Sequence, residues 1–242
     1  MLEVGFKSDK GLRREKNEDA FFVIPEESIF MVADGVGGNN SGDIASRSTI
    51  SKVVEYIRNN APDKNITEDG VVDYFTDCLS KVNREIYELS LLSPENKGMA
   101  TTITIAYITG GEAHIVNIGD SRAYHFRNGV LAQITEDHTY VNTLIKKGAI
   151  TKEEAQHHEK KNIITRAIGG DITTLPDFFC IGIDEGDIIL LCTDGLHGEI
   201  EDEGICGIIA EGGSMAETCS NLVNKANRRG GRDNITVVCL RV

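Results

Sequence analysis

The stretch Ser28-Ile29-Phe30-Met31-Val32-Ala33-Asp34-Gly35-Val36-Gly37-Gly38 decides how the rest of the chain is read. An apolar run of strand character ends in an aspartate, and three of the next four residues are glycine. A carboxylate at the end of a strand buried on both faces needs something to neutralise its charge. Glycines beside it let the backbone turn sharply and approach a ligand closely. Asp34 therefore either opens a hairpin turn, for which Asp-Gly is a strong signal, or ligates a metal.

Recurrence of the pattern favours the metal. Ile115-Val116-Asn117-Ile118-Gly119-Asp120-Ser121 and Ile188-Ile189-Leu190-Leu191-Cys192-Thr193-Asp194-Gly195 each run an apolar strand into an aspartate. Arg232-Asp233-Asn234 leads into the apolar run 235–239, and Glu18-Asp19 leads into Ala20-Phe21-Phe22-Val23-Ile24. Acidic residues at the ends of five strands can converge on one hard cation or a pair. Mg²⁺ and Mn²⁺ take carboxylate, carbonyl and water oxygens.

The 242 residues suit one large domain or two small ones, and no linker, repeat or low-complexity tract divides them. With 25 Lys+Arg against 38 Asp+Glu the formal charge is −13, which argues against a nucleic-acid partner, since phosphate backbones need basic patches. Most of the excess acid reads as solvated surface. Cys78, Cys180, Cys192, Cys206, Cys219 and Cys239 form no Cys-x-x-Cys pair or zinc-like spacing, and several sit in apolar patterns as small hydrophobes. No leader and no run long enough to span a bilayer is evident, so a cytoplasmic, reducing location without a membrane partner is expected.

Strands are expected at residues 2–6 and, in two pieces, 20–33, around the polar loop from Ser8 to Asp19. From Asp43 the period changes: Ile44, Ala45, Ile50, Val53, Val54 and Ile57 form a helical stripe that stops before Pro62. A second helix is predicted over 67–91, then strands at 101–109, 113–118, 123–127 and 130–134, with turns at Gly110-Gly111 and Asn128-Gly129. The polar segment 139–170 reads as a surface excursion holding one short helix opened by the capping box Thr151-x-x-Glu154. Strands at 178–183 and 187–192, helices around 205–209 and over 214–230, the latter opened by the capping box Ser214-x-x-Glu217, and a strand at 235–242 complete the chain. Hairpin-connected strands interrupted by helix pairs indicate α+β, a layered sandwich with the carboxylates at one edge.

Five motifs then occur in order: Gly11-Leu12-Arg13-Arg14-Glu15-Lys16-Asn17-Glu18-Asp19, Val32-Ala33-Asp34-Gly35-Val36-Gly37-Gly38, Gly119-Asp120-Ser121-Arg122, Thr193-Asp194-Gly195-Leu196 and Asp233-Asn234-Ile235-Thr236. The segments 135–139 and 162–169 add to them. Over essentially its whole length the chain resembles the PPM family of metal-dependent protein phosphatases (type 2C), in its compact bacterial form. The resemblance implies an α-β-β-α sandwich of two antiparallel sheets, one catalytic domain spanning 1–242, and a flap at about 140–166. It implies hydrolysis of phosphoserine and phosphothreonine by direct attack of a hydroxide shared by two Mn²⁺ or Mg²⁺ ions. Position by position, Asp34 would bridge both ions, Asp194 and Asp233 would hold one, and Glu18 with the Gly35 carbonyl the other. Asp19 would act through a coordinated water, Arg14 would hold the substrate phosphate, and Asn234 would orient Asp233. Asp120 with Asp194 would form a weak third site.

The residues support that chemistry independently. Two divalent ions lower the pKa of a shared water and offset the charge of a phosphomonoester, and Arg14 offers a planar fork for phosphate oxygens. The one Cys-x₅-Arg spacing, Cys78 to Arg84, falls inside the predicted helix 67–91 rather than in a phosphate-cradling loop, and the cysteines sit in core-like runs, so no covalent nucleophile is evident. Other candidates read as structural: Arg13 as a surface ion-pair former, His138 as a hydrogen-bonding group, His157-His158 as a solvated face, Arg122 as the anchor of the Asp120 loop. Gly37-Gly38 resembles a phosphate-cradling loop, yet no Lys-Ser/Thr follows. Two departures from the family pattern stand out: Val36 occupies a position where many relatives carry His, and Gly198, after His197, one where relatives often carry Asp or Asn. The expected partners are phosphorylated proteins, including a Ser/Thr protein kinase, met by a monomer. A non-catalytic phosphoprotein-binding pseudophosphatase and a small-molecule phosphomonoesterase are the alternatives.

Overall fold

A computed structural model describes residues 2–36, 41–63 and 66–242; the Gly37-Gly38 pair lies outside the described residues. The strands are β1 (Glu3–Asp9), β2 (Asp19–Ile24), β3 (Ile29–Val36), β4 (Ala100–Thr101), β5 (Ile103–Thr109), β6 (Glu112–Ile118), β7 (Arg122–Arg127), β8 (Val130–Gln133), β9 (Asp177–Gly182), β10 (Ile188–Cys192) and β11 (Ile235–Arg241). The helices are α1 (Gly42–Asn59), α2 (Glu68–Leu91), α3 (Tyr140–Lys146), α4 (Lys152–Gln156), α5 (Asp194–His197), α6 (Asp202–Ala210) and α7 (Met215–Arg229).

Alternation along the apolar strands sets the layers. In β3, Ile29, Met31 and Ala33 pack toward α1 and α2, while Phe30 and Val32 face the opposite way. The same parity holds in β10, where Ile188, Leu190 and Cys192 meet α5–α7 and Ile189 and Leu191 face inward. Side chains of period two that are apolar on both faces require cover on both faces. Two antiparallel sheets supply it, ordered β1-β11-β10-β7-β8 and β2-β3-β5-β6-β9, with β4 added to β3. Their inner faces form a core of Phe30, Val32, Ala106, Ile115, Ile189, Leu191, Val238 and Leu240. The result is an α-β-β-α sandwich. Each fully buried large side chain, such as Phe75 or Leu79 of α2, contributes roughly 1.5–3 kcal/mol over exposure.

Local signals explain the element ends. Thr67 Oγ1 accepts from the Gly70 N–H at 3.2 Å to start α2, and the predicted capping boxes of α4 and α7 both close, Thr151 with Glu154 and Ser214 with Glu217. The β7–β8 hairpin turns through Asn128 and Gly129 at positive φ, 53° and 79°. Three expectations need correction. The excursion holds two helices rather than one, because Thr139 Oγ1 caps α3 by accepting from Asn142 N–H at 3.2 Å. A four-residue helix, α5, follows β10 where only a strand end was expected. Ile44, assigned to the buried stripe of α1, is 40% exposed. No helix among the described residues is long and apolar enough to cross a membrane.

Candidate metal centre

The inward parity of the strands delivers carboxylates to one end of the interface between the sheets. Asp19 opens β2 and is the register partner of Asp34 in β3. Asp194 follows β10, Asp233 precedes β11, and Asp120 follows β6. Asp34 sits on a fixed rail. Its N–H donates to Thr102 Oγ1 at 2.9 Å, and its carbonyl accepts from Thr102 N–H at 2.9 Å and Thr101 Oγ1 at 2.8 Å. Thr102 Oγ1 in turn lies 2.7 Å from Ser121 Oγ beside Asp120.

Two glycines allow the closest approaches. A Cβ on Gly35 would stand 2.1 Å from the Gly42 carbonyl oxygen and 2.7 Å from that of Glu18. One on Gly195 would stand 1.9 Å from the Asn234 carbonyl oxygen. Both contacts are impossible for any residue with a side chain, so Asp34-Gly and Asp194-Gly are close-packing pairs here rather than hairpin turns.

The loop carrying Arg14 and Glu18 is held by Asn234. Its side-chain amide donates to the carbonyls of Lys10 at 2.9 Å and Lys16 at 2.8 Å, and its Oδ1 accepts from Glu18 N–H at 2.8 Å. This corrects the expected role: the Asn234 side chain orients the Glu18 loop, and only its backbone N–H reaches Asp233, at 2.8 Å to Oδ1. Ser46 Oγ donates to the Glu18 carbonyl at 2.5 Å. Arg14 Nη2 lies 2.6 Å from Asp233 Oδ2, with half of the Arg14 side chain exposed.

Electrostatics define what the cluster can bind. Burial first, and then the neighbouring carboxylates, push Asp19, Asp34, Asp120 and Asp194 above the ordinary carboxylate range. Glu18 is raised by burial and then by Asp43. Thr193 Oγ1 donates to Asp19 Oδ2 at 2.9 Å, yet Asp19 Oδ1, Asp120 Oδ1 and Asp194 Oδ1 are buried without a hydrogen-bond partner. Orphaned anionic oxygens in a buried cluster are costly unless cations meet them. The donors are all hard oxygens, which suits Mg²⁺ or Mn²⁺. The residues present therefore fit a divalent metal centre.

Asp19, Asp34, Asp120, Asp194 and Asp233 lie near enough for their charges to act on one another, Arg14 acts on Asp233, Asp194 and Asp34, and Glu18 feels Asp43, Arg14 and Asp233. The hydroxyls of Thr101, Thr102, Ser121 and Thr193 were not anticipated, though each adjoins or faces an aspartate of the motifs. His197 was noted only as a neighbour of Gly198; its Nε2 donates to the Asp120 carbonyl at 3.1 Å. Burial, and then the charge of Arg122, lower its pKa to about 3, so it stays neutral. Arg122, which ends the loop carrying Asp120, ties it to Asp137 through Nε at 2.9 Å and Nη2 at 2.7 Å, as expected of an anchor. His138 is structural as expected, accepting from Gly119 N–H at 3.1 Å and meeting Asp177 Oδ2 at 3.0 Å. His157 and His158 contact only backbone groups of their own segment by hydrogen bonding among the described residues, Glu153 O and Lys160 N.

A groove of about 800 Å³ runs from Val36 and Ala100 along 164–167 and 170–177. Arg166 lines it, anchored 2.5 Å from Asp177 Oδ1.

Comparison with known proteins agrees with this geometry. The family pattern of Protein phosphatase 2C matches residues 12–230. The serine/threonine phosphatase stp of Listeria monocytogenes is 34% identical over 240 residues, covering 98% of this chain and 94% of its own. The solved serine/threonine phosphatase of S. agalactiae superposes with a TM-score of 0.92 at 33% identity, over 100% of both chains. The catalytic domain of the serine threonine protein phosphatase PstP, solved with 2 manganese ions, gives 0.86 at 33% identity over 99% of this chain and 97% of that one. An oxygen-only centre between the sheets, on a fold shared end to end with these enzymes, leaves one conclusion: the chain belongs to the protein phosphatase 2C family of metal-dependent serine/threonine protein phosphatases.

Proposed function

We propose that this protein dephosphorylates phosphoserine and phosphothreonine in proteins with two divalent cations, Mn²⁺ or Mg²⁺, held by Asp34, Asp194, Asp233, Glu18 and the Gly35 carbonyl. The observation that carries the reading is the convergence of buried carboxylates with orphaned oxygens at Asp19, Asp120 and Asp194. Asp34, Asp194 and Asp233, with Glu18 and the Gly35 carbonyl, would hold the ions, and Asp19 would act through a water. The two manganese ions of the PstP catalytic domain support the number. When bound, such a pair lowers the pKa of water and offsets the charge of the phosphoester.

The chain's own residues do the rest. Arg14, half exposed beside Asp233, presents its free N–H groups to the phosphate oxygens and orients the ester. Water is the nucleophile: Cys78, Cys192, Cys219 and Cys239 are buried in the two helix-facing cores, while Cys180 stands beside His114 in the middle of β9 and Cys206 meets the β7–β8 turn at Gly129 O. Val36 has no proton to give the leaving oxygen, so solvent at the Asp120 side supplies it. Asp120 and Asp194 would hold a third cation only weakly there, because Gly198 adds no carboxylate. The groove lined by Arg166 takes the peptide around the phosphoresidue, beside a flap at 140–166 on a single catalytic domain. The substrates include a Ser/Thr protein kinase, and the enzyme works as a monomer in the cytosol, where its six free thiols persist.

The test is phosphopeptide hydrolysis with Mn²⁺ or Mg²⁺, with chelator, and with Asp34→Asn. Activity should need the cation and fall at least about a hundredfold, nearly 3 kcal/mol, in Asp34→Asn at unchanged secondary structure. Full turnover by chelated protein would sink the proposal.

A further inference from the structure

The opposite end of the same sheet brings together a different set of donors. The register aligns Ile29, Tyr107, His114 and Cys180 in one row across β3, β5, β6 and β9. Asp34 lies five residues along β3 from Ile29, roughly 17 Å at the rise of an antiparallel strand. Period two puts Glu112 on the same face of β6 as His114, and the ligand atoms of Glu112, His114 and Cys180 all lie within 4.8 Å of one another. His114 Nε2 and Glu112 Oε2 are 3.5 Å apart.

We propose that Glu112, His114 and Cys180 form a second cation site, separate from the phosphatase centre, that takes a borderline-soft divalent ion such as Zn²⁺. One imidazole nitrogen, one sulfur and one carboxylate oxygen match the donors Zn²⁺ uses, and tetrahedral ligands around it stand about 3.5 Å apart. The His114–Glu112 pair already has that spacing, and the Cys180 sulfur lies within 4.8 Å of both. His114 is buried and its ring is flanked by Tyr107, centroids 6.2 Å apart, so the nitrogen is fixed in place. Glu112 is half exposed and free to close the last gap. Its register partner on β9 is Gly182, which leaves open space where a side chain would otherwise stand.

The remaining tetrahedral position falls to water or to Glu68, the first residue of α2, whose charge bears on Cys180. Burial, and then Glu112 and Glu68, hold the Cys180 thiol up at about 11, so the ion displaces its proton to solvent as the sulfur–metal bond forms. The all-oxygen centre at Asp34 selects hard cations, whereas a nitrogen–sulfur–oxygen set selects Zn²⁺. The two ends of the sheet therefore sort metals by donor type. β9 is the edge strand of its sheet, and an ion here staples that edge to β6.

The test titrates Zn²⁺, with a chromophoric competitor, into protein held in excess Mg²⁺, and records Co²⁺ spectra in parallel. One Zn²⁺ should bind in the wild type and in Asp34→Asn. Cys180→Ser and Glu112→Gln should each weaken it by about tenfold or more, since even residues that only support metal ligands cost that much. Co²⁺ should give thiolate charge-transfer absorption that Cys180→Ser removes and Cys206→Ser retains. Mg²⁺-dependent hydrolysis should be unchanged in Cys180→Ser. Glu112 reaches solvent, so Glu112→Gln decides the matter even if the buried positions tolerate no change. The proposal is overturned by absent charge-transfer absorption in the wild type, by its survival in Cys180→Ser, or by equal Zn²⁺ affinity in Glu112→Gln.

Discussion

Arg14 and Asp120 stand at opposite sides of the carboxylate cluster and should fail differently when removed. The 2.6 Å Arg14–Asp233 pair is half exposed, so it adds no more than about 1 kcal/mol to stability, and Arg14→Ala should fold normally. A phosphate contact made equally in ground and transition states raises KM when lost and spares kcat. Arg14→Ala should therefore raise KM for a phosphopeptide about tenfold with a smaller change in kcat. Asp120 is buried with Oδ1 unpartnered and lies near the leaving oxygen in the proposed arrangement. Asp120→Ala should lower kcat on a phosphopeptide about tenfold, yet barely affect an activated aryl phosphate, which departs without a proton. Steady-state kinetics on both substrates separate the two. Unchanged KM in Arg14→Ala, or equal losses on both substrates in Asp120→Ala, would remove the assigned roles. The aspartates were legible because each interrupts an apolar run. Thr101, Thr102 and Thr193 were not, because a β-branched residue in a strand looks ordinary, and only the fold reveals which backbone its hydroxyl meets.

The elements divide into those dictated by local pattern and those decided by partners. Apolar runs of strand length in β3, β10 and β11, with hairpin turns and interrupting helix pairs, made the two-sheet stack readable, and the capping boxes announced α4 and α7. α3 was hidden because Tyr140-Val141-Asn142-Thr143 has weak helix propensity, and packing and the Thr139 cap override it. α5 was hidden because four residues cannot show a helical period. α5 starts with Asp194 itself. The segment that we propose as the flap, 140–166, is zipped at its base: Thr139 pairs with Ile164, Tyr140 N–H donates to Ile163 O at 2.8 Å, and Thr165 N–H donates to His138 O at 2.7 Å. Asp177, although burial would raise it, is held low by His138 and Arg166 and fastens the same base. Surface loops on a rigid scaffold carry recognition. Exchanging 140–166 for a relative's segment should shift phosphopeptide selectivity several-fold or more while leaving kcat on an aryl phosphate within about twofold. Equal losses on both would mean that the flap supports the cation site itself.

At the scale of the whole molecule the metal centre and the fold's stability are one problem, because a chain of formal charge −13 gathers its most crowded carboxylates between its two sheets. The folded values of Asp19, about 7, and Asp194, about 6, lie above the ordinary 3.8. A group raised on folding binds its proton more tightly in the native state, so its contribution is complete below about pH 4 and is lost as pH climbs toward 7. Without cations, the cluster therefore weakens the fold progressively as its protons leave. Asp187 works in the opposite sense: despite burial, the hydrogen bonds of Arg127 keep it low, so it stabilises at neutral pH and fails only in strong acid. Cations must displace the cluster's protons at low pH and meet bare carboxylates at high pH. At a hundredfold its Kd one ion adds about 2.7 kcal/mol, which at about 2–4 °C per kcal/mol is a Tm gain of roughly 5–10 °C. Scanning calorimetry with and without Mn²⁺ should show that gain at pH 8 and little of it at pH 5, with the crossover between the folded and unfolded carboxylate values. An equal Mn²⁺ shift at both pH values would place the ions on the acidic surface instead, where carboxylates are already ionised at pH 5 and protons do not compete.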